Sequence, residues 1–180
     1  MRLSLLVAPL AVVSLAACED ITAENGRGPV VTVALSDTTP PTSYSSEDEL
    51  RAPEDCARMR ANRPDRQRII LSANDPGGLA RLRIDAFPAN IVLLEASPPM
   101  ETDLFRQPSG RTFLTMTPPA TPAGTGFVSA LVTLELHPSP AGSTVVLNAE
   151  ARDLAGNISF TPVFTLIGDD NAGINCRGDQ

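Results

Sequence analysis

The chain has no tryptophan, one tyrosine (Tyr44) and one histidine (His137), and no lysine stands among its basic residues. Each scarcity removes an option. With six phenylalanines and a single tyrosine in 180 residues, a core has to be assembled mainly from Val, Leu, Ile and Ala. One histidine cannot build a zinc site of several imidazoles. No Gly-x-Ser-x-Gly elbow accompanies it, so a hydrolase triad has no starting point. His137 reads as an ordinary strand-end residue before Pro138. Phosphate-binding loops and dinucleotide fingerprints are also missing. Cysteine is limited to Cys18, Cys56 and Cys176. None has a Cys-x-x-Cys neighbour, which argues against a redox motif or a cysteine zinc site. No catalytic residue, metal or cofactor is expected, and the chain does not read as an enzyme.

Charge narrows the partners. The formal net charge is −7, and all fourteen basic residues are arginine. The arginine preference reads as composition bias. The acidic balance disfavours nucleic acid and anionic lipid surfaces. Acids at 47–49 and 54–55 precede Arg58, Arg60, Arg63, Arg66 and Arg68. That alternation reads as local pairing on a solvated loop in preference to an anion-binding patch.

What is present is a run of strands. Pro29 to Ser36 is rich in β-branched residues and reads as a first strand. Residues 37–67 show no strand pattern. They form a long irregular insertion, with a short helix expected from Pro53 through Cys56 and Met59. Arg68 to Asn74 leads into Asp75-Pro76-Gly77-Gly78, a strong turn signal. Leu79 to Ala86 then alternates, with Leu82, Ile84 and Ala86 on one side and Arg81, Arg83 and Asp85 on the other. Period two with a charged outer face argues for a half-buried antiparallel strand. Ile91 to Ala96, Arg111 to Thr117, Phe127 to His137, Thr144 to Arg152 and Ile158 to Ile167 follow. On the longest of them Val128, Ala130, Val132, Leu134 and Leu136 share a face. Pro162 suggests an edge or bulge in the last. Seven or eight strands with turns between them argue for an all-β sandwich.

The N-terminus carries an address. Arg2 precedes an apolar run from Leu3 to Ala17 that is too short to span a bilayer. It closes in Leu15-Ala16-Ala17-Cys18. The segment resembles a bacterial lipoprotein signal peptide with its lipobox. The resemblance implies cleavage before Cys18, diacylglycerol on its sulfur and an acyl chain on the new amino terminus. Glu19 after the cysteine tilts the expected address toward the outer membrane. Residues 1–17 are then signal, 18–28 lipidated cysteine and flexible tether, and 29–180 the domain.

Two further stretches carry a fold resemblance. Residues 148–159, with Ala151-Arg152-Asp153-Leu154-Ala155-Gly156-Asn157 at their centre, resemble the last hairpin of bacterial Ig-like domains. Residues 72–79 are similar to an earlier hairpin of such domains. In both, an aspartate can cap the turn and glycine supplies positive φ. The resemblance implies an Ig-like antiparallel β-sandwich with residues 37–67 as an insertion. The paired cysteines and core tryptophan of antibody-type domains are absent.

With Cys18 assigned to lipid, Cys56 and Cys176 remain as a pair in an oxidising compartment. They are expected to bond, closing a loop of roughly 120 residues. Asp75, Asp153, Asn157, Asp169, Asp170 and Asn171 are oxygen donors near turns. Turn capping accounts for them without calcium. The expectation is a lipid-anchored, non-catalytic module of the cell envelope. Its partner would be an envelope protein or a glycan, met through loops such as 98–110 or 118–126. Scarce aromatics argue mildly against sugar stacking. Two alternatives remain: a periplasmic enzyme or accessory subunit, and a calcium-stabilised adhesion module.

Overall fold

The computed structural model describes residues 27–35, 38–39, 42–47, 56–59, 65–120 and 126–168. Residues 1–17, expected as signal, lie outside them, as do Cys18 and Cys176. Among the described residues twelve strands run in chain order: β1 (Val30–Leu35), β2 (Thr38–Thr39), β3 (Thr42–Ser45), β4 (Cys56–Met59), β5 (Gln67–Phe87), β6 (Ala89–Ser97), β7 (Glu101–Arg106), β8 (Thr112–Thr117), β9 (Phe127–Pro138), β10 (Val145–Asp153), β11 (Ile158–Phe160) and β12 (Phe164–Ile167). The chain forms an all-β, Ig-like sandwich.

β5 organises it. Its first arm, 67–74, pairs with β1 on one side and β9 on the other. Its second arm, 79–87, pairs with β10 and β8. The first sheet is therefore β3-β1-β5-β9-β6, and the second is β2-β4-β12-β10-β5-β8-β7, with β11 beside β10. The alternation predicted for residues 79–86 is observed. Leu82, Ile84 and Ala86 are fully buried and meet Val33, Leu71, Leu134 and Leu147 in one aliphatic cluster. Burying such a side chain contributes about 1.5–3 kcal/mol, so period-two patterning in these strands decides which face turns inward.

Asp75-Pro76-Gly77-Gly78 is not a hairpin turn. The two arms of β5 do not pair with each other. The four residues form a corner that carries one strand from the first sheet into the second. Asp75 Oδ1 accepts the Gly77 amide at 2.8 Å, and Gly78 takes φ +92°. The Gly78 carbonyl accepts the Leu154 amide at 2.9 Å, tying the corner to the β10–β11 turn. A bulge between Asn74 and Leu79 in the β9 ladder records the bend.

The expected irregular insertion at 37–67 contains β2, β3 and β4. Residues 56–59 are strand and not the expected helix, with Cys56, Ala57 and Met59 buried. β4 adds to β12 in parallel, the one parallel pair among the described residues of a sandwich expected to be antiparallel throughout. Strands of two to four residues show too few alternations to be read locally; their pairing with an existing edge holds them. Residues 98–110, expected as a loop, contain β7. All six of its residues are exposed, so no burial periodicity marked it. The expected strand 158–167 divides at residues 161–163. Pro162 has no amide to donate, and Thr161 fills the ladder by accepting the Ala149 amide on its hydroxyl at 2.9 Å. Val128 points outward, against expectation, while Ala130, Val132, Leu134 and Leu136 are buried.

Candidate binding face

The aromatic residues are not where folding alone would put them. Among the described side chains the buried core contains no phenylalanine, and its one aromatic is Tyr44. Four of the six phenylalanines share the outer face of the second sheet. The ladder places them there. Val146 lies opposite Phe87, Asp85 opposite Phe113, Phe113 opposite Phe105, and Glu150 opposite Phe160, all on the side away from the core. Phe87 is 42%, Phe105 58% and Phe160 53% exposed. Val146 and Val163 extend the apolar area. A cluster of large exposed apolar side chains on one sheet face is a recognised mark of an interaction surface.

Charged groups are interleaved with the rings. Phe105 and Phe113 stack with centroids 6.2 Å apart. The Arg83 guanidinium lies 4.3 Å from the Phe113 centroid and that of Arg111 5.4 Å from it. Arg111 holds Asp85 as a fork, Nε donating to Oδ1 at 2.9 Å and Nη2 to Oδ2 at 2.6 Å. This hydrogen bond and the Asp85 charge raise the Arg111 pKa still further. Arg81 donates to Glu150 at 2.5 Å. A groove of about 470 Å³ runs between Phe87, Arg111, Val146 and Val163 over Asp85 and Asn148. A notch of about 210 Å³ continues it, walled by Arg83, Glu150 and Phe160. The opposite outer face, on the first sheet, carries a more open depression of about 640 Å³ lined by Thr32, Ser72, Asn74, Ser129 and Leu131.

The residues singled out from sequence fall elsewhere. Cys56 is buried in β4 against Ile167; Cys18 and Cys176 lie outside the described residues. Asp153 caps the β10–β11 turn: Asn157 donates its amide to Oδ1 and its side-chain nitrogen to Oδ2, both at 2.7 Å, with Gly156 at φ +97°. Asp75 caps its own corner. Of the other expected oxygen donors, Asp169, Asp170 and Asn171 lie outside the described residues. Among the described residues, no group of three His, Cys, Asp or Glu side chains converges as a metal site. His137 stands on the first sheet with Glu135 Oε2 at 3.4 Å. Arg58 sits in β4 and Arg68 in β5, and Arg66 pairs with Asp65 at 3.2 Å; Arg60 and Arg63 are outside the described residues. Phe87, Phe105 and Phe160 are exposed, so overall scarcity of aromatics did not keep rings off the surface. A sequence signal existed: Phe87 continues the outward set Arg81, Arg83, Asp85 at period two.

The class these features define is an Ig-like β-sandwich with an aromatic, arginine-bearing outer face. No known protein family matches the sequence, and no curated protein does. Solved structures resemble its architecture. An uncharacterized protein from Nocardia farcinica, whose crystal structure reveals an immunoglobulin-like fold, aligns with 58% of this chain and 91% of its own, at 12% identity and a TM-score of 0.41. A cohesin module from a Clostridium perfringens family 33 glycoside hydrolase aligns with 63% of this chain and 89% of its own, at 12% identity and a TM-score of 0.38. A collagen-binding domain from a Staphylococcus aureus adhesin aligns with 62% and 93%, at 10% identity and a TM-score of 0.34. At these values the likenesses carry nothing about ligand or partner.

Proposed function

We propose that this chain is a non-catalytic binding module of the bacterial cell envelope, tethered by lipid on Cys18, that meets a protein partner through the outer face of its second sheet. One observation carries the binding face: an aromatic-poor chain spends four of its phenylalanines on one outward surface and, among the described side chains, none on its core. Leaving such side chains in water forgoes about 1.5–3 kcal/mol each relative to burial. A partner that covers them recovers it.

The tether is supported by the Leu15-Ala16-Ala17-Cys18 sequence. Two or more acyl chains hold a protein stably, at about 0.8 kcal/mol per buried CH₂. We also propose the Cys56–Cys176 disulfide. It is supported by the burial of Cys56 beside Ile167, from which nine further residues lead to Cys176.

Site-specific photocrosslinking in intact cells tests the face. A benzophenone side chain replacing Phe105 is expected to give discrete crosslinked species. The same group at Thr133, on the first sheet, should not. Equal patterns from both positions would remove the face from the proposal. Labelling with radioactive palmitate tests the tether. Cys18→Ser should lose both the label and sedimentation with membranes, and retention of both would refute lipid attachment there.

A further inference from the structure

Three arginines rise from the centre of the aromatic face, and they are not equivalent. Arg81 is engaged by Glu150 and Arg111 by Asp85. The guanidinium of Arg83, between them, has neither an ion pair nor a hydrogen bond to any described residue; its contact is the ring of Phe113. An arginine stacked on an aromatic face keeps its N–H edge free, and its planar fork matches a carboxylate. Arg83 also walls the notch that Phe160 closes from the other side. The two carboxylates in that wall, Asp85 and Glu150, are already neutralised by their own arginines.

We infer that Arg83 is the specificity-determining residue of this face, and that the face takes a protein segment in which a carboxylate side chain is flanked by apolar residues. The carboxylate seats on the guanidinium above Phe113, and the flanking side chains cover Phe87, Phe105 and Phe160. The inference rests on the proposed binding face and adds the chemistry of its partner. Charge favours this occupant. The chain as a whole carries −7, which repels nucleic acid and other dense polyanions. A single unpaired cation among apolar rings suits one isolated carboxylate. Phe113 desolvates one side of the guanidinium, so seating that carboxylate strengthens an attraction that bulk water would otherwise weaken.

A library of random linear peptides displayed on phage, panned against the purified full-length protein in detergent, provides the test. Recovered peptides are expected to carry Asp or Glu between apolar residues. Arg83→Gln should weaken them by about tenfold or more, and replacing their acid by its amide should do the same. Arg83 makes no ion pair and loses only its stacking on Phe113, so the variant should stay folded and melt within a few degrees of the parent. Phe113→Leu, which keeps bulk and removes the ring, should weaken binding to an intermediate degree. Peptides that bind Arg83→Gln as tightly as the parent, or that lack an acid, would overturn the inference. If those peptides still lose binding when Phe87, Phe105 and Phe160 are changed to Ser, the binding face itself would stand. No enrichment over that triple variant would overturn both. Binding of phosphatidylglycerol vesicles through Arg83, without any acidic peptide, would replace the protein partner with a lipid headgroup.

Discussion

Asp75 and Asp153 are 6% and 4% exposed, the two most buried acids among the described residues. Each is committed to a backbone turn, which is why both can sit so deep. Burial lifts the Asp75 carboxyl above its ordinary range. The Gly77 amide pulls the other way, and the negative charge of Asp153 adds to the rise. A carboxyl with a raised folded-state pKa holds its proton more tightly folded than unfolded. Its contribution to stability is fully present below the unfolded value of about 3.9 and is lost as pH rises through the folded value. Asp75→Asn keeps an oxygen for Gly77 and removes the charge. It is expected to melt above the parent at pH 7, with the difference shrinking as pH falls toward 4. A lower melting temperature at pH 7 would show that the charge itself is needed. The sequence marked both aspartates as turn caps; their mutual field depends on two turns 78 positions apart meeting at one end of the sandwich.

Among the elements, β5 matters most. Its two arms were legible, the first as a run ending in a turn signal and the second because it alternates. Its continuity was not, because Asp-Pro-Gly-Gly satisfies a hairpin and a sheet corner equally well. The difference lies in what flanks the arms: β1 and β9 on one, β10 and β8 on the other. The corner is also crowded. A Cβ on Gly78 would lie 2.8 Å from the Gly126 Cα, and the residue has positive φ. Gly78→Ala should therefore cost about 1–3 kcal/mol in urea unfolding. An unchanged midpoint would mean that β9 can retreat from the corner. β7 is the reverse case. Thr102 and Leu104 on one side and Asp103 and Phe105 on the other are all exposed, so neither face left a pattern to read.

For the molecule as a whole, both sheets share one aliphatic cluster, and β5 threads them together. β4 and β12 extend the second sheet away from that centre, and Cys56 lies in this extension. The proposed bridge to Cys176 would close most of the chain, a constraint worth about 4–5 kcal/mol in the chain-entropy model. Alkylation without reductant is expected to leave Cys56 and Cys176 unmodified, and Cys56→Ser to lower the unfolding midpoint by an amount approaching that figure. Modification of both thiols without reductant would rule the bridge out.

For the alternating strands such as 79–86 and 144–152, identity and inward face were settled by the sequence alone, because side-chain direction alternates within a strand whatever its neighbours are; β2, β3, β4, β7 and the outward turn of Val128 were not. The glycine and aspartate of the 153–157 turn were equally local. Only the tertiary structure decided that Phe87, Phe105, Phe113 and Phe160 share a surface and that Arg83 stands unpaired among them. Which side chains lie side by side across a sheet depends on strand order and register, and these are set by contacts between residues far apart in the chain.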